Sequence, residues 1–131
     1  MLFHVFGSQG ERRAFGGSAF MELLFCRLPI GTRAKKLVAT RSIKGWQDDS
    51  LYVSDDDIDL FYREYGHIFN SGVYGNLKSG TVDIFGVNYY APHLIDSIIE
   101  STFQCKPTDY EILIRWLNKA KEYNGFYILG I

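Results

Sequence analysis

"SLYVSDDDIDLFYREYGHIF", Ser50 to Phe69, is where the chain changes period. Ser50 to Ser54 reads as a short strand. After Ser54 the apolar residues Ile58, Phe61, Tyr62, Tyr65, Ile68 and Phe69 recur at the three-and-four spacing of one buried helix face. Ser54 suits the N-cap, with Asp57 three positions on. The stretch therefore divides a strand-rich first half from a helix-rich second half.

Upstream, "ELLFCRL" is an apolar run bounded by Pro29 and Gly31, and "AKKLVATRSI", Ala34 to Ile43, has the β-branched content of another strand. Downstream, "NSGVYGNLKSG" breaks regularity with its glycines, and "TVDIFGVNYY", Thr81 to Tyr90, reads as a strand bulged at Gly86. Pro92 opens a second helix with Leu94, Ile95, Ile98, Ile99, Thr102 and Phe103 along one stripe. Thr108 and Glu111 have capping-box spacing at the start of a third, whose buried face carries Leu113, Trp116, Leu117 and Ala120. Asn124 and Gly125 supply a left-handed cap, and "FYILGI" reads as a final strand. Segregated strands and helices predict an α+β fold: a single domain over residues 21–131, with a mostly antiparallel sheet packed against about three helices.

Residues 1–20, "MLFHVFGSQGERRAFGGSAF", are glycine-rich and unlike the rest. They read as an extra strand over Leu2 to Phe6 with a loop, or as an extension ahead of a natural start at Met21. The second account predicts poor order over residues 7 to 20.

A chain of 131 residues fits one domain. Folding at that size buries roughly two thirds of the surface of the unfolded chain, so no disulfide or metal is needed to hold a core. Hydrophobic content of 47% and charge of 22% exclude a disordered chain, and aromatics at 16% are unusually many. Cys26 and Cys105 form no CxxC pair and read as buried thiols of a reducing cytosol. No apolar run reaches the roughly 20 residues of a bilayer span. Charge and glycine in "GERRAFGGSAF" argue against a signal peptide, so a cytoplasmic location and no membrane contact are expected.

The net charge of -1 conceals a separation. Arg27, Arg33, Lys35, Lys36, Arg41 and Lys44 follow one another with no acid among them. Then come Asp48, Asp49, Asp55, Asp56, Asp57, Asp59 and Glu64, interrupted only by Arg63. Such asymmetry bears on partner choice more than on fold.

Asp55, Asp57 and Asp59 match the first ligand positions of a calcium loop, but Leu60 stands where that loop needs Gly and Gly66 where it needs Glu. Consecutive acids on one helical turn fan outward, whereas acid/base or two-metal chemistry needs carboxylates converging on a pocket. No metal, cofactor or catalytic residue is assigned. Acids in a helix's first turn complement its macrodipole, but that effect does not reach Asp48 and Asp49. An anionic surface facing a basic partner accounts for all of them. His4, His67 and His93 lack the spacing that puts two ligands on one helix face. Cys26 has no activating partner nearby in sequence, and neither phosphate-loop spacing occurs. The basic segment lies beside an acidic one that would repel phosphate, so direct nucleic-acid binding is not expected. Tyr62, Tyr65, Tyr74, Tyr89 and Tyr90 gather around the acidic helix in sequence. Those left exposed would serve as anchors within a charged rim.

With "GWQDDSLYVSDDDIDLFYREYGHIFNSGVYGNLKSG" and "KPTDYEILIRWLNKAKEYNGFYILGI", the region Met21 to Ile131 resembles the immunity proteins of bacterial contact-dependent growth inhibition and related polymorphic toxin systems. Those families share no universal signature, so no residue is assigned by motif. The resemblance implies a non-enzymatic protein that binds and neutralises a cognate toxin domain, often a nuclease. A nuclease must be basic to hold phosphates, so an acidic inhibitor gains from steering. The expected contact residues are Trp46, Asp48, Asp49, Asp55, Asp56, Asp59, Tyr62, Glu64 and Tyr74. Two other classes remain open: a small nuclease or hydrolase using His67 or His93 with Asp83, and a regulatory module acting through its own homodimer. Oligomeric state is left open.

Overall fold

The computed structural model describes residues 1–16, 19–43 and 45–131. Period-two alternation in β1 (Phe20–Phe25) sends Met21, Leu23 and Phe25 to one face of a sheet and Phe20, Glu22 and Leu24 to the other. β2 (Leu51–Ser54) pairs antiparallel with β1, aligning Met21 with Val53 and Leu23 with Leu51. On its other side β1 pairs with β6 (Phe126–Leu129), and β6 with β5 (Val87–Tyr90). A short hairpin of β3 (Gly72–Tyr74) and β4 (Ser79–Gly80) completes a six-stranded antiparallel sheet of order β2-β1-β6-β5-β3-β4. The latest strand in sequence thus lies inside the sheet. Its composition allows this: Phe126, Tyr127 and Ile128 are all buried, as an interior strand covered on both faces requires.

One face carries α3 (Ile58–Tyr65), α4 (Ile95–Cys105) and α5 (Tyr110–Ala120). Their apolar stripes meet Met21, Leu23, Phe25, Val53, Phe126 and Ile128 in the main core. Aromatic rings dominate it. Phe25 stacks on Trp116 at 4.4 Å and Tyr90 on Phe126 at 4.8 Å, while Phe61 stacks on Tyr65 at 5.4 Å. Each fully buried ring contributes roughly 1.5–3 kcal/mol over leaving it in water. The opposite face is covered by a smaller cluster in which Leu37 and Val38, at the end of α2 (Ala34–Leu37), pack on Leu24, Cys26, Tyr89 and Tyr127. Gly125 turns the chain from α5 into β6 at φ 80°, and a Cβ there would lie against the Tyr90 carbonyl oxygen. Only glycine meets both demands.

The α+β class, the antiparallel sheet and the three helices on one face agree with the sequence reading. Several local expectations are corrected. "AKKLVATRSI" is no strand: Ala34–Leu37 is helical and Thr40–Ser42 a 3₁₀ turn. Ala, Lys and Leu are good helix formers, and a short helix delivers Leu37 and Val38 together to the sheet. "NSGVYGNLKSG" holds the β3–β4 hairpin, and the strand expected from Thr81 begins only at Val87. Asn88 is the reason for that late start. Its side chain accepts from Asp83 N and donates to the Asp83 and Ile128 carbonyls, holding residues 83–86 as a turn. The helix after the aspartates ends at Tyr65, though Ile68 and Phe69 are still buried in the turn beyond. Cys105 is exposed at the end of α4, whereas Cys26 is buried as expected.

The N-terminal residues lie along the edge of the sheet. Leu2, Phe3 and Phe6 are buried, and the His4 N–H and C=O bond to Tyr52, covering the outer edge of β2. Asp109 Oδ2 accepts from Leu2 N and Phe3 N. Residues 9–15 form α1 (Gln9–Phe15), so the expectation of poor order does not hold for residues 7–16. Gly17 and Ser18, which it also covered, lie outside the described residues.

Candidate functional site

The aspartate run is divided by its own strand. β2 stands between Asp49 and Asp55, and four residues at ~3.3 Å each separate the two groups by about 13 Å or more. At the far end the Ser54 hydroxyl accepts from Asp56 N, Asp55–Asp57 forms a 3₁₀ turn, and α3 follows. Asp55, Asp56 and Asp59 are exposed, and Asp57 is half-buried. Tyr62, one turn beyond Asp59, is 46% exposed. Two ion pairs occur among the described residues, Arg27–Asp49 and Lys121–Asp96, and neither involves these four aspartates. The start of α3 is therefore a local anionic surface without ion pairs among the described residues, beside one exposed aromatic ring and Arg63.

Other expected contact residues sit elsewhere. Asp48 is exposed at the near end of β2, beside an open depression of about 500 Å³ lined by Gly7, Arg27, Trp46 and Gln47. Asp49 serves the fold. Its carboxylate holds Arg27, and its carbonyl accepts from Trp116 Nε1 at 2.8 Å. Glu64 is half-buried and accepts from Thr108 N at 2.8 Å and Thr108 Oγ1 at 3.0 Å. This replaces the capping box expected of Thr108: its hydroxyl is committed to Glu64, and α5 starts from Asp109 in the left-handed region at φ 58° without a side-chain cap. Tyr74 is half-buried, its hydroxyl donating to the Thr81 carbonyl. Tyr65, Tyr89 and Tyr90 are core residues, and burial pushes the Tyr89 hydroxyl up to about 12.

His67, exposed after α3, has Nε2 3.5 Å from Cys105 Sγ. His93 is exposed in the 3₁₀ turn Pro92–Leu94, and Asp83 Oδ1 accepts from Phe85 N at 2.9 Å. No hydrogen bond or ion pair joins any two of these three among the described residues. No group of three or more His, Cys, Asp or Glu side chains is placed to hold a metal among the described residues. No helix is long and apolar enough to cross a membrane among the described residues.

Trp46 belongs to a second cluster, on the sheet face opposite the three helices. Its ring stacks on Tyr52 with centroids 5.7 Å apart, Tyr52 meets Phe20 edge-on at 6.1 Å, and the Arg12 guanidinium lies over all three. Glu22 lies within this cluster, where burial raises its carboxyl above the usual range, opposed by Ser50, Tyr52 and the charge of Arg12. Alternation in "MELLF" marks Glu22 as a residue of the other face. Nothing in sequence linked it to Arg12.

Known protein families, curated proteins and solved structures include no match to this chain.

Proposed function

We propose that the protein is an immunity protein, which binds a basic toxin domain and neutralises it, with the start of α3 as the contact surface. The supporting observation is the set of exposed carboxylates Asp55, Asp56 and Asp59, which form no ion pair among the described residues and lie near the exposed ring of Tyr62. Like charges gathered on one surface repel one another, and a cationic partner relieves that repulsion and is steered toward it. Aromatic rings within a charged rim are the usual anchors of tight protein association. In this reading Asp49 and Glu64 support the fold, and Asp48 lies at the margin. Competition for the toxin's phosphate-binding surface neutralises it, with no chemistry by the immunity protein.

The test is association with a basic toxin domain recovered by co-purification with this protein from its native host, measured from low to high ionic strength. The association rate should fall steeply with salt, and Asp55, Asp56 and Asp59 changed together to Lys should abolish binding. A salt-independent rate, or binding that survives the triple reversal, rules the reading out.

A further inference from the structure

We propose that Phe20, Trp46 and Tyr52, together with the Glu22 carboxylate, form a recognition site for a guanidinium group, and that Arg12 of α1 occupies it as an intramolecular stand-in. Arg12 Cζ is 5.9 Å from the Phe20 centroid, 5.3 Å from Trp46 and 5.4 Å from Tyr52. Three electron-rich rings around one cation, with a carboxylate in the same pocket, is the arrangement by which proteins select organic cations. A planar guanidinium stacks on such rings and bonds a carboxylate through its fork, which an ammonium cannot do.

Arg12 fulfils half of that role. It contacts the rings but makes no ion pair with Glu22 within 4.0 Å, and Glu22 Oε2 accepts from the Tyr52 hydroxyl at 3.2 Å. The Ser50 hydroxyl, fully buried, lies beside Glu22 and favours its charged form. Glu22 therefore accepts from the Tyr52 hydroxyl while its charge is left without an ion-pair partner by Arg12. The element carrying Arg12 is short, and its Phe15 ring rests on His4, Phe6 and Phe20. α1 is seven residues long, has no buried residue and is followed by Gly16 at φ 96°. Lifting it uncovers the rings without opening the main core. An arginine arriving from outside then meets rings and carboxylate together. Assigning that arginine to a basic toxin domain rests on the reading above, whereas the site itself does not.

The test uses the full chain and N-acetyl-arginine amide, following the Trp46 indole N–H signal by NMR. Trp116 serves as internal reference because its Nε1 is bonded to the Asp49 carbonyl. Arg12→Met and Arg12→Ala should each bind the probe at least about tenfold more tightly than the parent chain, and adding Glu22→Gln should reverse that gain. An unmoved Trp46 signal in the folded Arg12 variants overturns the site. Equal binding of N-acetyl-lysine amide overturns its guanidinium selectivity. Loss of the fold in both variants makes Arg12 a structural support and overturns the stand-in role. No toxin is needed, so failure here leaves the α3 surface untouched, and salt-independent toxin association leaves the cage untouched.

Discussion

Glu64 accepts both the backbone N–H and the hydroxyl of Thr108, 44 positions along the chain, and the neighbouring Tyr65 hydroxyl donates to the Thr108 carbonyl at 2.6 Å. Two consecutive residues of α3 thus grip one residue before α5. Because this carboxylate is only half-buried, Glu64→Ala should cost about 1 kcal/mol in urea unfolding, the ordinary net worth of such bonds. Tyr65→Phe should cost a similar amount. The double variant should lose less than the sum, since both bonds position the same residue. Strict additivity would mean the two contacts act independently.

The aspartates at the start of α3 should behave differently. Asp55, Asp56 and Asp59 changed together to Asn should lower stability by no more than about 1–2 kcal/mol, the loss of their interaction with the helix N-terminus. The same variant should slow association with a basic partner and flatten its salt dependence. Thermal unfolding and stopped-flow mixing at two ionic strengths separate the two effects.

Glu22 gives the chain a predictable response to pH. Burial raises its carboxyl above 4.5, so the folded state holds this proton more tightly than the unfolded state does. Stability contributed by Glu22 is therefore present below about pH 4.5 and is lost as pH rises through the raised folded value. Glu22→Gln should remove that loss, giving a flatter profile above pH 4.5 when urea midpoints are compared across pH. An unchanged slope would show that Glu22 is not the group responsible.

The cover on the second sheet face depends on one buried hydrogen bond, from the Tyr127 hydroxyl to the Leu37 carbonyl at 2.6 Å. Tyr127→Phe removes the donor and leaves that carbonyl unmet, at a cost of about 1–3 kcal/mol. Hydrogen exchange should rise first in residues 34–43, ahead of β1 and β6. Uniform loss of protection would count against a local role.

Legibility of the fold followed burial. Strong stripes at the three-and-four spacing gave α3, α4 and α5, and continuous apolar runs gave β1 and β6, because both patterns reflect which side chains leave water. Short elements were opaque. In "AKKLVATRSI" the β-branched residues suggested a strand, but the sheet already had its strands and needed Leu37 and Val38 as a cover. Thr108 fits a capping box until Glu64, far away in sequence, claims its hydroxyl. The candidate surface was legible only as charge. Asp55 and Asp56 in the 3₁₀ turn stay with Asp59 and Tyr62 at the start of α3, whereas Asp48 and Asp49 are carried off along β2 and Trp46 turns to Tyr52 on the sheet. The guanidinium of Arg12 among its rings left no sequence signal, since α1, β1, β2 and Trp46 ahead of β2 assemble it from segments without a shared motif.

Among the described residues, β6 alone joins the β2–β1 pair to the β5–β3–β4 group in the sheet. While a ribosome is making this chain, β1 waits roughly a hundred residues for the neighbour that completes it. Both halves meanwhile present open hydrogen-bonding edges at Phe20–Phe25 and Val87–Tyr90. Closure is thus a late, long-range step of the kind that slows folding. A nascent chain stalled before Phe126 would be an aggregation hazard, and one stalled after Leu129 would not.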